Sequence, residues 1–199
     1  MRLLAVAGLV VIAAAARADI TQLSQPAINA LTPIDSLPSS EQINQVFNTP
    51  TEALATLIAL ANPTSSGDPG VQLRAVRALI HYCASTPCPT NDQAHTTLLA
   101  VEGRYADART GSDVLMLRAA IEALGVLRVP NDMLVLAAQL QHPSRDIRAA
   151  TARALRDLGN TQAIPLLRAR YNDEPDGDKG DQVRSAISDA LRVLGQPVQ

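Results

Sequence analysis

Aromatic side chains are nearly absent from this chain: Trp does not occur, Phe occurs once and Tyr three times, together 2% of 199 residues. Sheet layers are ordinarily filled by β-branched and aromatic residues. A chain whose 47% apolar content rests on Ala and Leu is therefore expected to be all-α, with helices that approach closely. A basic surface is lacking too. The formal net charge is −2, which argues against nucleic-acid binding, since that binding depends on Lys and Arg displacing counterions from the phosphates.

The signatures of catalysis are missing as well. There is no His-Glu-x-x-His, no Gly-x-Ser-x-Gly and no phosphate-cradling glycine loop, and the only histidines are His81, His95 and His142. No catalytic residue and no cofactor is expected. His142 precedes Pro143 between two helical segments, where a polar turn residue is the ordinary explanation.

The first eighteen residues have the form of a signal peptide. Met1 and Arg2 give a positive start, Leu3 to Ala16 is an unbroken apolar run, and Ala16-Arg17-Ala18 is a small-x-small cleavage pattern before Asp19. The run is shorter than the roughly 20 residues needed to cross hydrocarbon, and no second such run follows. The expectation is an exported protein, periplasmic or extracellular, whose mature chain does not insert in a membrane. Loss of Arg2 and Arg17 would leave 15 basic residues of the 17 against 19 acids, moving the net charge from −2 to −4.

Self-comparison shows one pattern four times. Residues 147–159 and 183–195 align without a gap at a separation of 36. Val71 to Cys83 and Met116 to Arg128 fit the same frame, anchored on Ala78-Leu79 and Ala123-Leu124. Counting the first residue of each copy as zero, apolar or small residues fall at 0, 4, 7, 8 and 11, one stripe of a 3.6-period helix. Ala at position 7 should let a neighbouring helix come close. Each of these B helices is preceded by an A helix, expected over roughly 50–61, 91–105, 131–141 and 161–171. The starts are marked by Thr49-Pro50-Thr51-Glu52, by Thr90 with Gln93, by Asn131-Asp132 and by Asn160-Thr161. The domain reading is signal peptide 1–18, irregular N-terminal cap 19–48 and repeat domain 49–199, with a short amphipathic piece at Glu41 to Phe47.

The run His142-Pro143-Ser144-Arg145-Asp146-Ile147-Arg148-Ala149-Ala150, followed by Ala154-Leu155, Leu158-Gly159 and Ala163-Ile164-Pro165-Leu166-Leu167, resembles a bacterial HEAT repeat of the type shared with phycobilin-lyase-like proteins. The resemblance spans residues 50–195 and is strongest in the last two copies. The first two depart from it, having Val71-Gln72 and Met116-Leu117 where an apolar-Arg pair is expected. What it implies is an α-solenoid of about four helix pairs, a right-handed superhelix with A helices outside and B helices lining an inner face.

In such a superhelix, B-helix positions 2, 6, 9 and 13 would face the groove. They include Arg77, Arg118, Arg153, Arg156 and Arg192, relieved by Glu122 and Asp189. The planar guanidinium fork suits carboxylates, so the partner expected there is another protein or peptide. The long A-to-B loops, 62–70, 106–112 and 172–180, carry Asp68, Asp107 and an acidic cluster, and should form a negative edge. Two rival readings are an accessory factor of a lyase-like enzyme system, by family analogy, and an architectural module of an envelope assembly.

Cys83 and Cys88 lie close enough in sequence to form a disulfide between the first two repeats in an oxidising compartment. The alternative is a zinc site of His81, Cys83, Cys88 and His95, although that spacing matches no standard finger. The loop from Asn172 to Asp181 invites a calcium reading, but Gly180 occupies the fifth position of Asp176 to Asp181 and no Glu closes the loop. Its acids are expected to be a solvated turn.

Overall fold

The computed structural model describes residues 29, 31, 39–62, 68–175, 177 and 180–195. The expected signal peptide lies outside these, as do Asp176, Asp178 and Lys179 of the acidic loop. Among the described residues there is no strand, and no helix is long and apolar enough to cross a membrane.

Nine α-helices are described, with 3-10 turns at several ends. A short helix α1 (Ser40–Asn44) leads into four pairs: α2 (Pro50–Ala61) with α3 (Pro69–Ala78), α4 (Gln93–Tyr105) with α5 (Gly111–Leu127), α6 (Met133–Ala138) with α7 (Arg145–Leu158), and α8 (Ile164–Asp173) with α9 (Asp181–Val193). The B helices α3, α5, α7 and α9 pack side by side in chain order, and each A helix packs on its own B helix. The chain is thus an all-α solenoid of four helix pairs, as the sequence pattern indicates.

The stripe explains why. At positions 0, 4, 7, 8 and 11 of the third copy, Ile147, Thr151, Ala154, Leu155 and Leu158 are all buried. In the fourth, Val183, Ile187, Ala190 and Leu191 are buried and Leu194 packs on the core edge. No helix can hide such a stripe alone, so burial requires the neighbouring pair. Position 7 admits the close approach expected of it. A methyl placed on Gly125 of α5 would sit 2.6 Å from the Ala154 Cα on α7.

The A side of the same joint is wider. The backbones of α4 and α6 scarcely touch, and two buried polar pairs bridge them. His95 Nε2 lies 2.9 Å from Asp132 Oδ2, and Gln139 Nε2 donates to Glu102 Oε1 at 2.7 Å.

The helix ends follow local chemistry, with one difference from expectation. Thr49 Oγ1 accepts from Glu52 N–H at 3.1 Å, and Asn160 Oδ1 accepts from Gln162 N–H at 3.0 Å. Before α4, however, the cap is Asp92, whose Oδ1 accepts from Ala94 N–H at 2.8 Å, and not Thr90. The Thr90 carbonyl is instead taken by His95 Nδ1 at 3.0 Å. The amphipathic piece at 41–47 begins as α1 with a capping box between Ser39 and Gln42. Asn44 at its end accepts from the Tyr82 hydroxyl at 2.8 Å, which ties the cap to the first repeat.

Two frame positions do equivalent work in unlike residues. At position 1, Arg148 Nη1 donates to the His142 carbonyl at 2.9 Å and Arg184 Nη2 to the Glu174 carbonyl at 2.7 Å. Gln72, which departs from the repeat pattern, donates to the Asn62 carbonyl at 3.0 Å. Each side chain closes the turn between A and B helices, so the departure keeps the function. Leu117 takes the other course and is fully buried. At position 12, Gly159, Gly195 and Arg128 all have left-handed backbones, with φ of 76°, 82° and 56°. The first repeat has Cys83 there, extended at φ −71°.

Candidate functional site

The exposed side of the B layer is the candidate site, and its charges are arranged across helices. Arg118 Nε on α5 donates to Glu122 Oε1 at 2.9 Å, and Arg153 on α7 reaches the same oxygen at 3.6 Å. Arg156 on α7 donates through Nε to Asp157 at 2.8 Å and through Nη1 to Asp189 on α9 at 2.6 Å. Arg192 Nη2 closes on the other Asp189 oxygen at 2.5 Å. Four of the five arginines singled out from the repeat frame are therefore brought together in one ribbon over three successive B helices. Arg77 stands apart on α3 with no ion pair among the described residues.

The two guanidinium groups on Asp189 hold its carboxyl below the usual range, through their hydrogen bonds first. The Arg156 guanidinium is held more firmly protonated by hydrogen bonds to Asp157 and Asp189. These side chains are half-buried or exposed, so each pair adds little to stability. What they add is order: forks and carboxylates stand in fixed alternation. Along α5 the ribbon is flanked by Leu115 and Val126, both nearly half exposed, at helical spacing from Arg118 and Glu122.

The negative edge is only partly formed. Asp68 is occupied in capping α3, accepting from Gly70 and Val71 N–H at 2.7 and 3.1 Å. Glu174, expected in a solvated loop, is completely buried. Arg148 pairs with it closely through Nη2, Arg148 Nε donates to it at 3.0 Å, and Arg170 Nε donates at 2.7 Å. Burial raises its carboxyl pKa, but the hydrogen bonds and charges of Arg148 and Arg170 outweigh this and hold it below the usual range. This carboxylate is a structural hub joining α7, α8 and the following loop. No sequence signal distinguishes it from its neighbours, because its partners lie 26 residues back and one turn back.

Two histidines are likewise absorbed into the fold. The Thr90 carbonyl only accepts, so His95 Nδ1 must donate to it. Nε2 then faces the Asp132 carboxylate, 2.9 Å from Oδ2. Burial raises the Asp132 pKa while the charge and hydrogen bond of His95 oppose it. His142 is buried, its Nδ1 accepts from Ser144 N–H at 3.1 Å, and among the described residues its Nε2 has no hydrogen-bond partner. Burial pushes its pKa down, and the charges of Arg109 and Arg148 push the same way.

Cys83 and Cys88 are joined as a disulfide, with Cα atoms 5.8 Å apart. The four-residue zinc reading is not assembled, because His95 is committed to Asp132 and Thr90. The residue that does lie beside the sulfurs is Asp92: its carboxylate oxygen and the two sulfurs are all within 4.8 Å of one another.

No curated protein and no solved structure gives a match to the chain. A family model described as HEAT repeats matches residues 106–192, which holds α5 to α8 and nearly all of α9. Neighbour-to-neighbour packing of the helix pairs and the family match agree, and over that span the chain is similar to HEAT repeats.

Proposed function

We propose that this protein is an exported adaptor that holds a segment of another protein or peptide on the exposed face of its B layer, without catalysing a reaction. HEAT repeats are modules of the protein-interaction scaffold kind, and the apolar run and cleavage pattern of residues 1–18 support export. The observation that carries the reading is the ribbon of Arg118, Glu122, Arg153, Arg156, Asp189 and Arg192. Its forks are already ordered by their own carboxylates, so little side-chain freedom is lost when a partner exchanges into them. The partner segment carries carboxylates for the arginines and apolar side chains for Leu115 and Val126.

The test is the triple variant R153Q/R156Q/R192Q against the unaltered chain, each used to capture partners from the exported fraction for identification by mass spectrometry. Loss of a specific partner with unchanged helicity supports the reading. Unchanged capture removes this face as the site.

A further inference from the structure

We infer that reducing the Cys83–Cys88 bond opens a three-ligand site, two cysteine sulfurs and the Asp92 carboxylate, that takes a zinc-class divalent cation. The three ligand atoms already lie within 4.8 Å of one another. A tetrahedral zinc with thiolate bonds near 2.3 Å separates two sulfurs by about 3.7 Å. With Cα atoms 5.8 Å apart, turning the two side chains about their Cα–Cβ bonds reaches that separation.

The segment is held in place by contacts that do not involve the sulfur–sulfur bond. Cys88 N–H donates to the Leu127 carbonyl at 2.9 Å and Asp92 N–H to the Pro89 carbonyl at 3.0 Å. Ala84 N–H donates to Asp92 Oδ2 at 3.3 Å, and the Ser85 hydroxyl donates to the Pro87 carbonyl at 2.9 Å. Cys88 is buried while Cys83 and Asp92 are half-buried, which gives a cation one wall of protein and one open approach. Asp92 also caps α4.

The chemistry balances with a dithiol as reductant. It supplies two electrons and two protons, becoming a disulfide itself, while the Cys83–Cys88 bond breaks to two thiols. The cation then displaces both thiol protons to solvent and keeps its fourth position for water or a donor from a partner. Oxidised, the site is closed; reduced, it is a metal site. The inference does not depend on what the B layer binds.

The full chain is reduced with a phosphine and titrated with zinc against a chromophoric chelator, with circular dichroism recorded throughout. One tightly held zinc per reduced chain and none per oxidised chain is expected. D92N should weaken binding at least tenfold while keeping α4, because Asn caps a helix as well as Asp does, and C83S/C88S should abolish it. No zinc on the reduced chain, or equal affinity in D92N, overturns the inference. Equal affinity is also what an unfolded chain binding through its thiols alone would give.

Discussion

The first two repeats and the last two make the same joints by different means. In repeats three and four the turn between helices is closed by Arg148 and Arg184, both converging on Glu174, and the B helices end on glycines in left-handed backbone. In repeat one the turn is closed by neutral Gln72, and the B helix ends on Cys83, fastened to Cys88. Repeat two ends on Arg128, left-handed without a glycine, and its A helix leans on repeat three through His95–Asp132 and Glu102–Gln139. The lesson is that the frame fixes where a fastening is needed, not which chemistry supplies it. An ionic hub serves one half, and a covalent staple with buried polar bridges serves the other.

Breaking the hub should cost the most. Glu174→Ala leaves two guanidinium groups facing a buried void, and removing one partner of such a pair typically costs about 3–5 kcal/mol. Urea denaturation should show that loss, and a cost under about 1 kcal/mol would mean that Arg148 and Arg170 find water instead. Removing the staple should cost less. C83S/C88S, or reduction without metal, should lower stability by about 2 kcal/mol, because the closed loop is short.

Arg128→Gly should sharpen the comparison from the other side. It gives repeat two the residue found at the same position in repeats three and four, and relief of a left-handed non-glycine backbone should raise stability by about 0.5–1 kcal/mol. A further effect is acid-dependent and vanishes at neutral pH. His142 has a lowered folded pKa, so the unfolded chain takes up a proton near 6.5 that the folded chain refuses. Stability is complete above that value and falls as pH drops below it, by up to about 1.4 kcal/mol at pH 5.5. His142→Asn keeps an acceptor for Ser144 N–H and should flatten that slope between pH 7.5 and 5.5.

Much of the architecture was legible because helical period and repeat spacing are properties of a single strip of sequence. The buried stripe of Ile147, Ala154 and Leu155, the four helix pairs and the terminal glycines 159 and 195 all follow from that strip. Pairings between strips were not legible. His95 and Asp132, like Glu102 and Gln139, stand 37 residues apart, and nothing local marks either pair. Glu174 sits among acids that look alike until Arg148 is folded against it. Gln72 departs from the repeat in residue identity, yet what it shares with Arg148 and Arg184 is a donor aimed at a carbonyl. For the candidate site, the frame located Arg118, Arg153, Arg156 and Arg192 on one face, but not the carboxylates that already hold them.

Hydrogen exchange followed by mass spectrometry on the unaltered chain, Glu174→Ala and C83S/C88S, under conditions where all three remain folded, tests most directly whether the pairs are joined only to their neighbours. Glu174→Ala should lose protection in α7, α8 and α9 while α2 and α3 keep theirs, and C83S/C88S should do the reverse. Equal loss in every helix from either change would mean a single cooperative bundle, and would contradict a stack of separately fastened repeats.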